Sequence, residues 1–374
     1  MSATLPGLAE GMERLKRAHR YRALALARGI DFTSNDYLGL SRHPALREAI
    51  VAALEEDGTA GAGGSRLLRG HHEAHARLEE FAAGFFQAEK TLFFSSGFLA
   101  NYALFSTLLE RHDAVVFDER IHASVKEGIH ACPAERFRAR HNDVESFESA
   151  IRGAREKGAR RVFIAVESVY SMDGDLAPLS ELDAIARRND AVLVVDEAHA
   201  TGVFGARGRG LGEALQNPSW ISVHTCGKAL GVAGALICAS AEAIELLINR
   251  ARPFIYSTAP PPFLAAAVER ALAFVDEEPW RRETVLKLAR FAHKHLAEET
   301  PFAGSQIIPI VLGDEERSLN VARALQENGF DVRAIRPPTV PEGTSRLRVS
   351  IHADHTESDI LALAAALRSA RGPA

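Results

Sequence analysis

Cysteine is scarce in this sequence. Three cysteines, Cys132, Cys226 and Cys238, occur in 374 residues, and no two of them have the CxxC spacing. An odd number of widely separated cysteines argues against a disulfide framework and against a zinc site built from thiolates. We therefore expect a protein of a reducing compartment, the cytoplasm.

Long apolar runs and a strong excess of either charge are also missing. No run approaches the roughly 20 residues of a membrane-spanning helix, and Glu10 and Glu13 interrupt the stretch where a secretory signal would have its apolar core. Lys and Arg number 44 against 49 Asp and Glu, whereas binding to nucleic-acid phosphates requires a basic surface. Neither a membrane nor a nucleic acid is an expected partner.

Short apolar runs, by contrast, recur along the first two thirds of the chain, and each is too short to be a buried helix. They are Thr91–Ser95, Ala114–Asp118, Val162–Glu167, Ala191–Asp196, Trp220–Thr225 and Ala235–Cys238. Several of the intervals between them have helical spacing, as at Leu179, Leu182 and Ile185. Strands that alternate with helices predict an α/β fold with a mainly parallel sheet.

The pattern changes after the proline-rich stretch at residues 256–262. Long helical segments follow, with strand-like segments at Gln306–Leu312 and Arg346–Ile351. We predict a large domain over residues 45–270 and a smaller C-terminal domain over residues 271–374. Residues 1–44 are predicted to form an N-terminal segment that packs with the small domain.

Polar residues follow several predicted strands, at the edge where parallel sheets bind ligands. Asp196 ends one strand, His199 lies three residues later, and Lys228 follows the next strand. A pyridoxal 5′-phosphate (PLP) site needs a carboxylate to keep the pyridine nitrogen protonated and a lysine amine to bind the aldehyde as a Schiff base. Taken singly, Asp196 is better explained as a strand cap and Lys228 as a solvated residue, but the combination favours a PLP site.

The segment Ser95–Phe98 lies between a predicted strand and the helical segment Leu99–Leu109. Amides at a helix start bind anions, so the amides of Ser95–Phe98 are candidates for holding the cofactor's phosphate. Thr225 is placed to add a hydroxyl. Taken alone, this pattern also fits an ordinary helix N-cap.

Other motifs carry weaker signals. Gly61–Arg66 resembles a dinucleotide fingerprint, but its sixth residue is arginine and a helical segment precedes it. Gly227-Lys228 lacks the Ser or Thr of a Walker loop. His71 and His75 are one helical turn apart, but the acid of a zincin motif is absent, so we expect a solvated helix start and no metal site.

Longer motifs resemble the α-oxoamine synthases, a family of PLP enzymes, over nearly the whole chain. These motifs are Ser34–Leu40, Gly61–Gly70, Ser96–Phe98, Ser171–Asp175, Asp196–Gly202, Thr225–Lys228 and Arg336–Pro341. The resemblance implies an aspartate aminotransferase-like, PLP-dependent transferase fold with a large and a smaller α/β domain. Gly63–Leu67 and Ala334–Pro341 favour the branch that joins L-alanine to a pimeloyl thioester, of coenzyme A or acyl carrier protein, in biotin biosynthesis.

The resemblance also implies roles around the cofactor ring. Lys228 would carry the cofactor, and Asp196 would pair with the pyridine nitrogen. His199 and Ser171 would bond the phenolic oxygen, and His122 would stack on the ring and assist catalysis.

The remaining implied roles concern the phosphate and the two substrates. Gly97, Phe98 and Thr225 would hold the phosphate. Ser257 and Thr258 resemble phosphate contacts that the family supplies from the neighbouring subunit, which implies a homodimer with shared active sites. Substrate-binding residues would be Arg348, for the amino-acid carboxylate, and Arg22 and Thr339, for the acyl group.

Three alternatives stay open at this point. Related enzymes on the same scaffold, 2-amino-3-ketobutyrate CoA ligase and 5-aminolevulinate synthase, use glycine and other acyl-CoA esters. Serine palmitoyltransferase is a further relative. A non-catalytic PLP-fold binding protein is the alternative from a different class.

Overall fold

A computed structural model of the chain describes residues 7–371. The strands are β1 Ile30–Asp31, β2 Lys90–Phe94, β3 Ala114–Asp118, β4 Glu135–Ala139, β5 Val162–Glu167, β6 Ala191–Asp196, β7 Trp220–Thr225, β8 Ala235–Ala239, β9 Ile307–Gly313, β10 Phe330–Asp331, β11 Ala334–Ile335 and β12 Ser345–Ser350. The helices are α1 Leu8–Arg17, α2 Pro44–Asp57, α3 Glu73–Phe86, α4 Gly97–Leu108, α5 Ala123–Ala131, α6 Val144–Glu156, α7 Leu179–Arg188, α8 Ala241–Arg250, α9 Arg252–Ile255, α10 Pro262–Glu277, α11 Trp280–Leu296, α12 Glu315–Glu327 and α13 Glu357–Arg371. Short 3-10 turns occur at Leu40–Arg42 and Leu211–Ala214.

The largest sheet has seven strands in the order β2-β8-β7-β6-β5-β3-β4. The pairs from β7 to β4 are all parallel, and β8 is antiparallel to both of its neighbours. The prediction of a mainly parallel sheet is therefore confirmed. Because the carboxyl ends of β3, β5, β6 and β7 meet at one edge, Asp118, Glu167, Asp196 and Thr225 end their strands side by side.

Helices cover both faces of this sheet, which explains why its central strands are almost wholly apolar. On one face, Phe105 of α4 and Val125 of α5 pack against strand residues such as Val223. On the other face, Phe147 of α6 and Leu182 of α7 pack in a separate cluster. The two layers fix the strand ends from both sides.

The chain divides into two compact units. The larger comprises residues 35–171 and 175–286 and contains the seven-stranded sheet. Within the described residues, the smaller comprises 7–34, 172–174 and 287–371. The predicted domain limits of 1–44, 45–270 and 271–374 stay a prediction, and their residues 1–6 and 372–374 lie outside the described part.

The smaller unit has two sheets of its own. One is antiparallel, in the order β11-β12-β9, and the other is the short parallel pair β1-β10. Phe32, Ile308, Leu347 and Leu363 belong to a single buried apolar cluster that joins these strands to the helices of the unit. This packing holds β12, the strand that carries Arg348.

Among the helices of residues 7–371, none combines the length and the apolar character that a membrane-spanning helix requires.

Candidate active site

Lys228 lies just beyond β7, at the sheet edge described above. Its Nζ is 2.9 Å from Nε2 of His199. Nδ1 of His199 is 2.6 Å from the Tyr37 hydroxyl, which donates to Oδ1 of Asn35 at 2.9 Å. With the tyrosine proton used by Asn35, His199 donates from Nδ1 and presents Nε2 as an acceptor. The ring is thereby oriented toward the lysine amine.

Asp196 is buried at the end of β6 and accepts two hydrogen bonds. One comes from Nδ2 of Asn101 at 2.7 Å and the other from the Ala198 amide at 2.9 Å. Asn101 also donates to Oγ of Ser124 at 3.0 Å, and that hydroxyl is 2.7 Å from Nδ1 of His122. A continuous chain of polar contacts therefore links His122 to Asp196.

The electrostatic surroundings favour a neutral His122. Although the residue is exposed, its pKa is lowered, first because neighbouring protein atoms desolvate the charged form. The positive charges of Lys228 and Lys126 act in the same direction, and Asp196 opposes them. Because the Ser124 hydroxyl accepts from Asn101, it donates to Nδ1 of His122, which places the histidine proton on Nε2.

Ser171 lies in the loop after β5 and is buried. Its amide donates to Oε2 of Glu167, the last residue of that strand, at 3.1 Å. The loop closes through a hydrogen bond from the Tyr170 amide to the Asp175 carbonyl at 2.9 Å. Ser171 is thus fixed by the strand end on one side and by the loop closure on the other.

A histidine between two carboxylates fastens the same loop. Nδ1 of His141 is 2.9 Å from Oδ1 of Asp118, and Nε2 is 2.7 Å from Oδ2 of Asp175. Burial alone would lower the pKa of His141, but the hydrogen bonds and charges of Asp118 and Asp175 outweigh it and raise the pKa to about 9. A cationic His141 therefore connects the end of β3 to the loop that carries Ser171.

The start of α4 faces Thr225. Ser96 caps the helix, its Oγ accepting from the Leu99 amide at 3.3 Å, and the first amides of a helix have no acceptor within the helix. A Cβ added to Gly97 would lie 2.9 Å from Oγ1 of Thr225. Gly97, Phe98 and Thr225 are thus brought together, and the unpaired amides with a nearby hydroxyl suit a phosphate.

Ser257 and Thr258 lie in the loop between α9 and α10. The next residue, Ala259, donates from its amide to the Gly64 carbonyl at 2.9 Å. Within residues 7–371, no hydrogen bond joins either side chain to the groups around Lys228. Their predicted role belongs to the site of a neighbouring subunit and stays a prediction.

The predicted substrate-binding residues belong to the smaller unit. Nη1 of Arg348, a buried residue of β12, donates to Oγ of Ser350 at 2.9 Å. Nη2 of Arg22 donates to Oγ1 of Thr339 at 3.3 Å. The two residues predicted to share the acyl group are therefore in contact.

Residues of two weaker motifs, Gly61–Arg66 and the His71–His75 pair, form contacts within the fold. Gly61–Arg66 follows α2 instead of a strand, and Arg66 forms paired hydrogen bonds to the carboxylate of Glu79 at 3.0 and 2.9 Å. His75 is fully buried and its Nε2 is 2.8 Å from the Pro260 carbonyl, so the expectation that His71 and His75 form a solvated helix start is wrong for His75. The helix packs against the loop before α10 and thereby excludes water from this ring.

Four contributors to the site were not predicted from the sequence: Tyr37, Asn101, Ser124 and Glu167. Tyr37 belongs to the motif Ser34–Leu40, which was recognised without a role for this residue. Asn101 carried a usable signal, because it is a polar residue among the buried, mostly apolar residues of helix α4. Glu167 carried one too, since it is an acid at the end of a strand buried throughout.

The larger unit therefore contains each group that PLP requires. Asp196 supplies a buried carboxylate, Lys228 supplies an amine beside a histidine acceptor, and the start of α4 with Thr225 supplies an anion cradle. The residues present fit the cofactor.

Comparisons with known proteins identify the family of the chain. Residues 27–367 match the family model described as aminotransferase class I and II. An 8-amino-7-oxononanoate synthase of Geobacter sulfurreducens is 45% identical over 89% of this chain and 86% of its own length. One of Chromobacterium violaceum is 42% identical over 96% of this chain and 97% of its own length.

Solved structures agree as well. A serine palmitoyltransferase from S. paucimobilis with bound PLP has a TM-score of 0.88 and 29% identity, covering 98% of this chain and 96% of that chain. The 8-amino-7-oxononanoate synthase of Francisella tularensis has a TM-score of 0.78 and 31% identity, covering 91% of this chain and 96% of that chain.

Fold and site together define a PLP-dependent enzyme with the aspartate aminotransferase-like fold, which confirms the predicted fold class and cofactor. The chain belongs to the aminotransferase class I and II family, in the group of the 8-amino-7-oxononanoate synthases. The predicted resemblance to the α-oxoamine synthases is confirmed with it.

Proposed function

We propose that this enzyme condenses L-alanine with a pimeloyl thioester to give 8-amino-7-oxononanoate, a step of biotin biosynthesis. A carbon–carbon bond forms between Cα of alanine and the thioester carbonyl, and the carbon–sulfur bond breaks with release of the thiol. The alanine carboxylate leaves as carbon dioxide, and a proton takes its place on Cα. The convergence of Lys228, His199 and Asp196 carries this proposal, together with relatives of that name at 38–45% identity.

Bound PLP supplies an electron sink for the amino acid. We propose that Lys228 would bond the cofactor and that its free amine would remove the Cα proton of the amino acid. A base must be neutral to accept a proton, and Nε2 of His199, 2.9 Å away, accepts a hydrogen bond from the neutral amine without adding charge. Asp196 would hold the proton of the pyridine nitrogen. Ser171 and His199 would bind the phenolic oxygen, with Nε2 of His199 accepting from the hydroxyl form of that oxygen.

His122 is proposed to cover the ring face and to orient the acyl carbonyl. Its neutral state and its proton on Nε2 suit a hydrogen-bond donor to that oxygen. Gly97, Phe98 and Thr225 bind the phosphate.

For the substrates, we propose that Arg348 binds the carboxylate of L-alanine, because a guanidinium forms paired hydrogen bonds with a carboxylate. Arg22 and Thr339 are proposed to bind the acyl group, and their mutual contact at 3.3 Å supports a shared role. The acyl donor is a thioester of coenzyme A or of acyl carrier protein.

We further propose a homodimer that shares its active sites and works in the cytoplasm. Leu67, Leu68 and Tyr256 are 49%, 84% and 74% exposed. The segment that carries Leu67 and Leu68 is joined to the loop of Ser257 and Thr258 by the hydrogen bond between Ala259 and Gly64, and exposed apolar side chains can mark protein interfaces. The three cysteines are buried and unpaired, which supports a reducing compartment.

The experiment is a substrate panel on the PLP-loaded enzyme. L-Alanine, glycine and L-serine are each combined with pimeloyl-CoA, pimeloyl-acyl carrier protein, acetyl-CoA, succinyl-CoA and palmitoyl-CoA, and products are identified by mass spectrometry. We expect product from L-alanine with a pimeloyl donor. Efficient product from glycine or L-serine with another donor would overturn the substrate assignment. Product from L-serine with palmitoyl-CoA would indicate serine palmitoyltransferase activity, since a serine palmitoyltransferase shares the fold.

Lys228→Ala tests the chemistry itself. Loss of the general base should lower turnover by at least about a thousandfold, and the visible absorption of the bound cofactor should disappear. Lys157→Ala is the matched control, because Lys157 pairs with Glu135 on the surface. Retained absorption and turnover in Lys228→Ala would contradict the proposed role.

A further inference from the structure

Two carboxyl groups lie side by side at the edge of the sheet. Glu167 ends β5, Asp196 ends β6, and the two are paired in register across these parallel strands. Residues paired in this way project to the same face of a sheet. Glu167 is 2% exposed and Asp196 is 6% exposed. Two buried carboxyl groups this close do not both ionise readily, because each charge disfavours the other.

Hydrogen-bond donors are unequally divided between the two groups. Asp196 accepts from Asn101 at 2.7 Å and from the Ala198 amide at 2.9 Å. Glu167 accepts from the Ser171 amide at 3.1 Å, and its Oε1 is buried with no hydrogen-bond partner in the described part of the chain. Donors stabilise the ionised form of a carboxylate. The negative charge is therefore better accommodated on Asp196.

We propose that Glu167 is a neutral carboxylic acid in the working enzyme and that Asp196 alone carries the negative charge of this pair. The inference rests on the proposed function of Asp196 as the partner of the pyridine nitrogen. A second charge here would favour the protonated form of Lys228 and so oppose its use as a base. Glu167 is thus a positioning residue that holds one proton and sets the charge of the site.

The surrounding charges agree with this assignment. Burial raises the pKa of Glu167 to about 8, the charge of Asp196 acts in the same direction, and Lys228 and the Ser171 amide oppose it. The ionisable groups that interact with Glu167 are Asp118 on β3, Lys126 on α5, Tyr170 in the following loop, Asp196 on β6 and Lys228 after β7. Glu167 therefore holds its proton at neutral pH and releases it as the pH rises through about 8.

Infrared spectroscopy of the holoenzyme tests which carboxyl group is protonated. The carbonyl band of a protonated carboxylic acid should be present at pH 7 and should disappear as the pH rises through about 8. Glu167→Gln, which keeps the shape of the side chain and cannot ionise, should lack this band. In Asp196→Asn the band should disappear at a lower pH than in the native enzyme, because the charge of Asp196 helps to raise the pKa of Glu167. Burial raises the pKa of Glu197, another buried glutamate, to about 7, so its band also changes over this pH range. The band of Glu167 is therefore obtained by subtracting the spectrum of Glu167→Gln from that of the native enzyme at the same pH.

Each outcome has a distinct meaning. A band that persists in Glu167→Gln and disappears in Asp196→Asn would place the proton on Asp196 and overturn the inference. The inference would also be overturned if the native holoenzyme and Glu167→Gln had the same protonated-acid band at pH 7. Failure of the native protein to bind PLP would instead contradict the proposed function.

A second readout is the pH dependence of stability. Because the pKa of Glu167 in the folded state lies above its ordinary value, the native protein should lose stability as the pH rises from about 4.5 to about 8. Glu167→Gln should flatten this part of the curve. If the curve of Glu167→Gln had the same slope as that of the native protein, a neutral Glu167 would be contradicted. A merely structural role of Glu167 would lower the free energy of unfolding of the variant equally at every pH and leave the slope unchanged.

Discussion

Asn101 connects the two sides of the site through one amide group. It donates to Asp196 and to Ser124, and through Ser124 it sets the proton position of His122. Removing the amide would leave the Asp196 carboxylate with one donor fewer in a buried setting. Hydrogen bonds to charged groups contribute about 1.5–3 kcal/mol, so the effect of this side chain on the cofactor should be large.

Asn101→Leu should therefore weaken PLP binding by about tenfold to a hundredfold, measured by titrating the cofactor-free enzyme and following the visible absorption. Ser106→Ala is the matched control, because Ser106 lies on the same helix and donates to the Tyr102 carbonyl instead of to the site. Equal binding by Asn101→Leu and the native enzyme would show that Asp196 does not depend on this donor.

Site residues that the sequence predicts are positioned by strands, whereas Asn101 and Ser124, which it does not predict, are positioned by the packing of helices. Asp196, His199 and Lys228 directly follow apolar strands, so a local pattern predicts that they reach the same edge. Asn101 and Ser124 meet only because α4 and α5 pack together, and no local spacing encodes that contact. Asn101 is predictable as a buried polar residue, but its partner is not.

At the scale of secondary structure, the segment after β4 is held to the loop after β5 by the charge of His141. The folded-state pKa of about 9 lies above the ordinary histidine value. A raised pKa means that the stabilisation is fully present below about pH 6.5 and is lost as the pH rises through about 9. Asp118 and Asp175 are the carboxylates that lose their cationic partner.

The free energy of unfolding of the native protein should thus fall by on the order of 3 kcal/mol between pH 6 and pH 10 through this one group. His141→Gln should remove that part of the pH dependence, as measured by chemical denaturation at a series of pH values. His130→Gln, at an exposed position of α5, is the control. The same slope in His141→Gln as in the native protein would contradict the assignment.

Strands differ in how far the sequence predicts them. The predicted limits of β3, β5, β6 and β7 agree with the structure, because burial on both faces makes these strands continuous apolar runs. Strand β4, with the sequence Glu-Arg-Phe-Arg-Ala, was missed because it is a polar edge strand. Strand β1 was missed because it is two residues long and pairs with Phe330 and Asp331, far along the chain.

At the scale of the whole molecule, a single chain leaves part of its proposed site unused. Ser257 and Thr258 have no hydrogen bond to the groups around Lys228 within residues 7–371, and the apolar side chains of Leu67, Leu68 and Tyr256 are exposed. A homodimer in which each chain supplies these hydroxyls to the other would account for both observations. Shared sites of this kind make a prediction that separate sites do not.

Two inactive variants should restore activity to each other if the sites are shared. Lys228→Ala lacks the base but keeps Ser257 and Thr258, and the double variant Ser257→Ala with Thr258→Val has the opposite defect. A purified heterodimer of the two should contain one complete site, built from Lys228 of one chain and both hydroxyls of the other. It should therefore recover about half of the native turnover and half of the native PLP absorption per dimer, because one of its two sites is complete and the other has both defects.

The two homodimers prepared with the same tags are the controls, and dimerisation is checked by light scattering before each assay. If the hydroxyls acted within their own chain, the site with Lys228 would still lack them, and the heterodimer would be no more active than the double variant alone. A monomeric enzyme with native turnover would contradict the shared site in another way, because no second chain would then be needed to hold the phosphate.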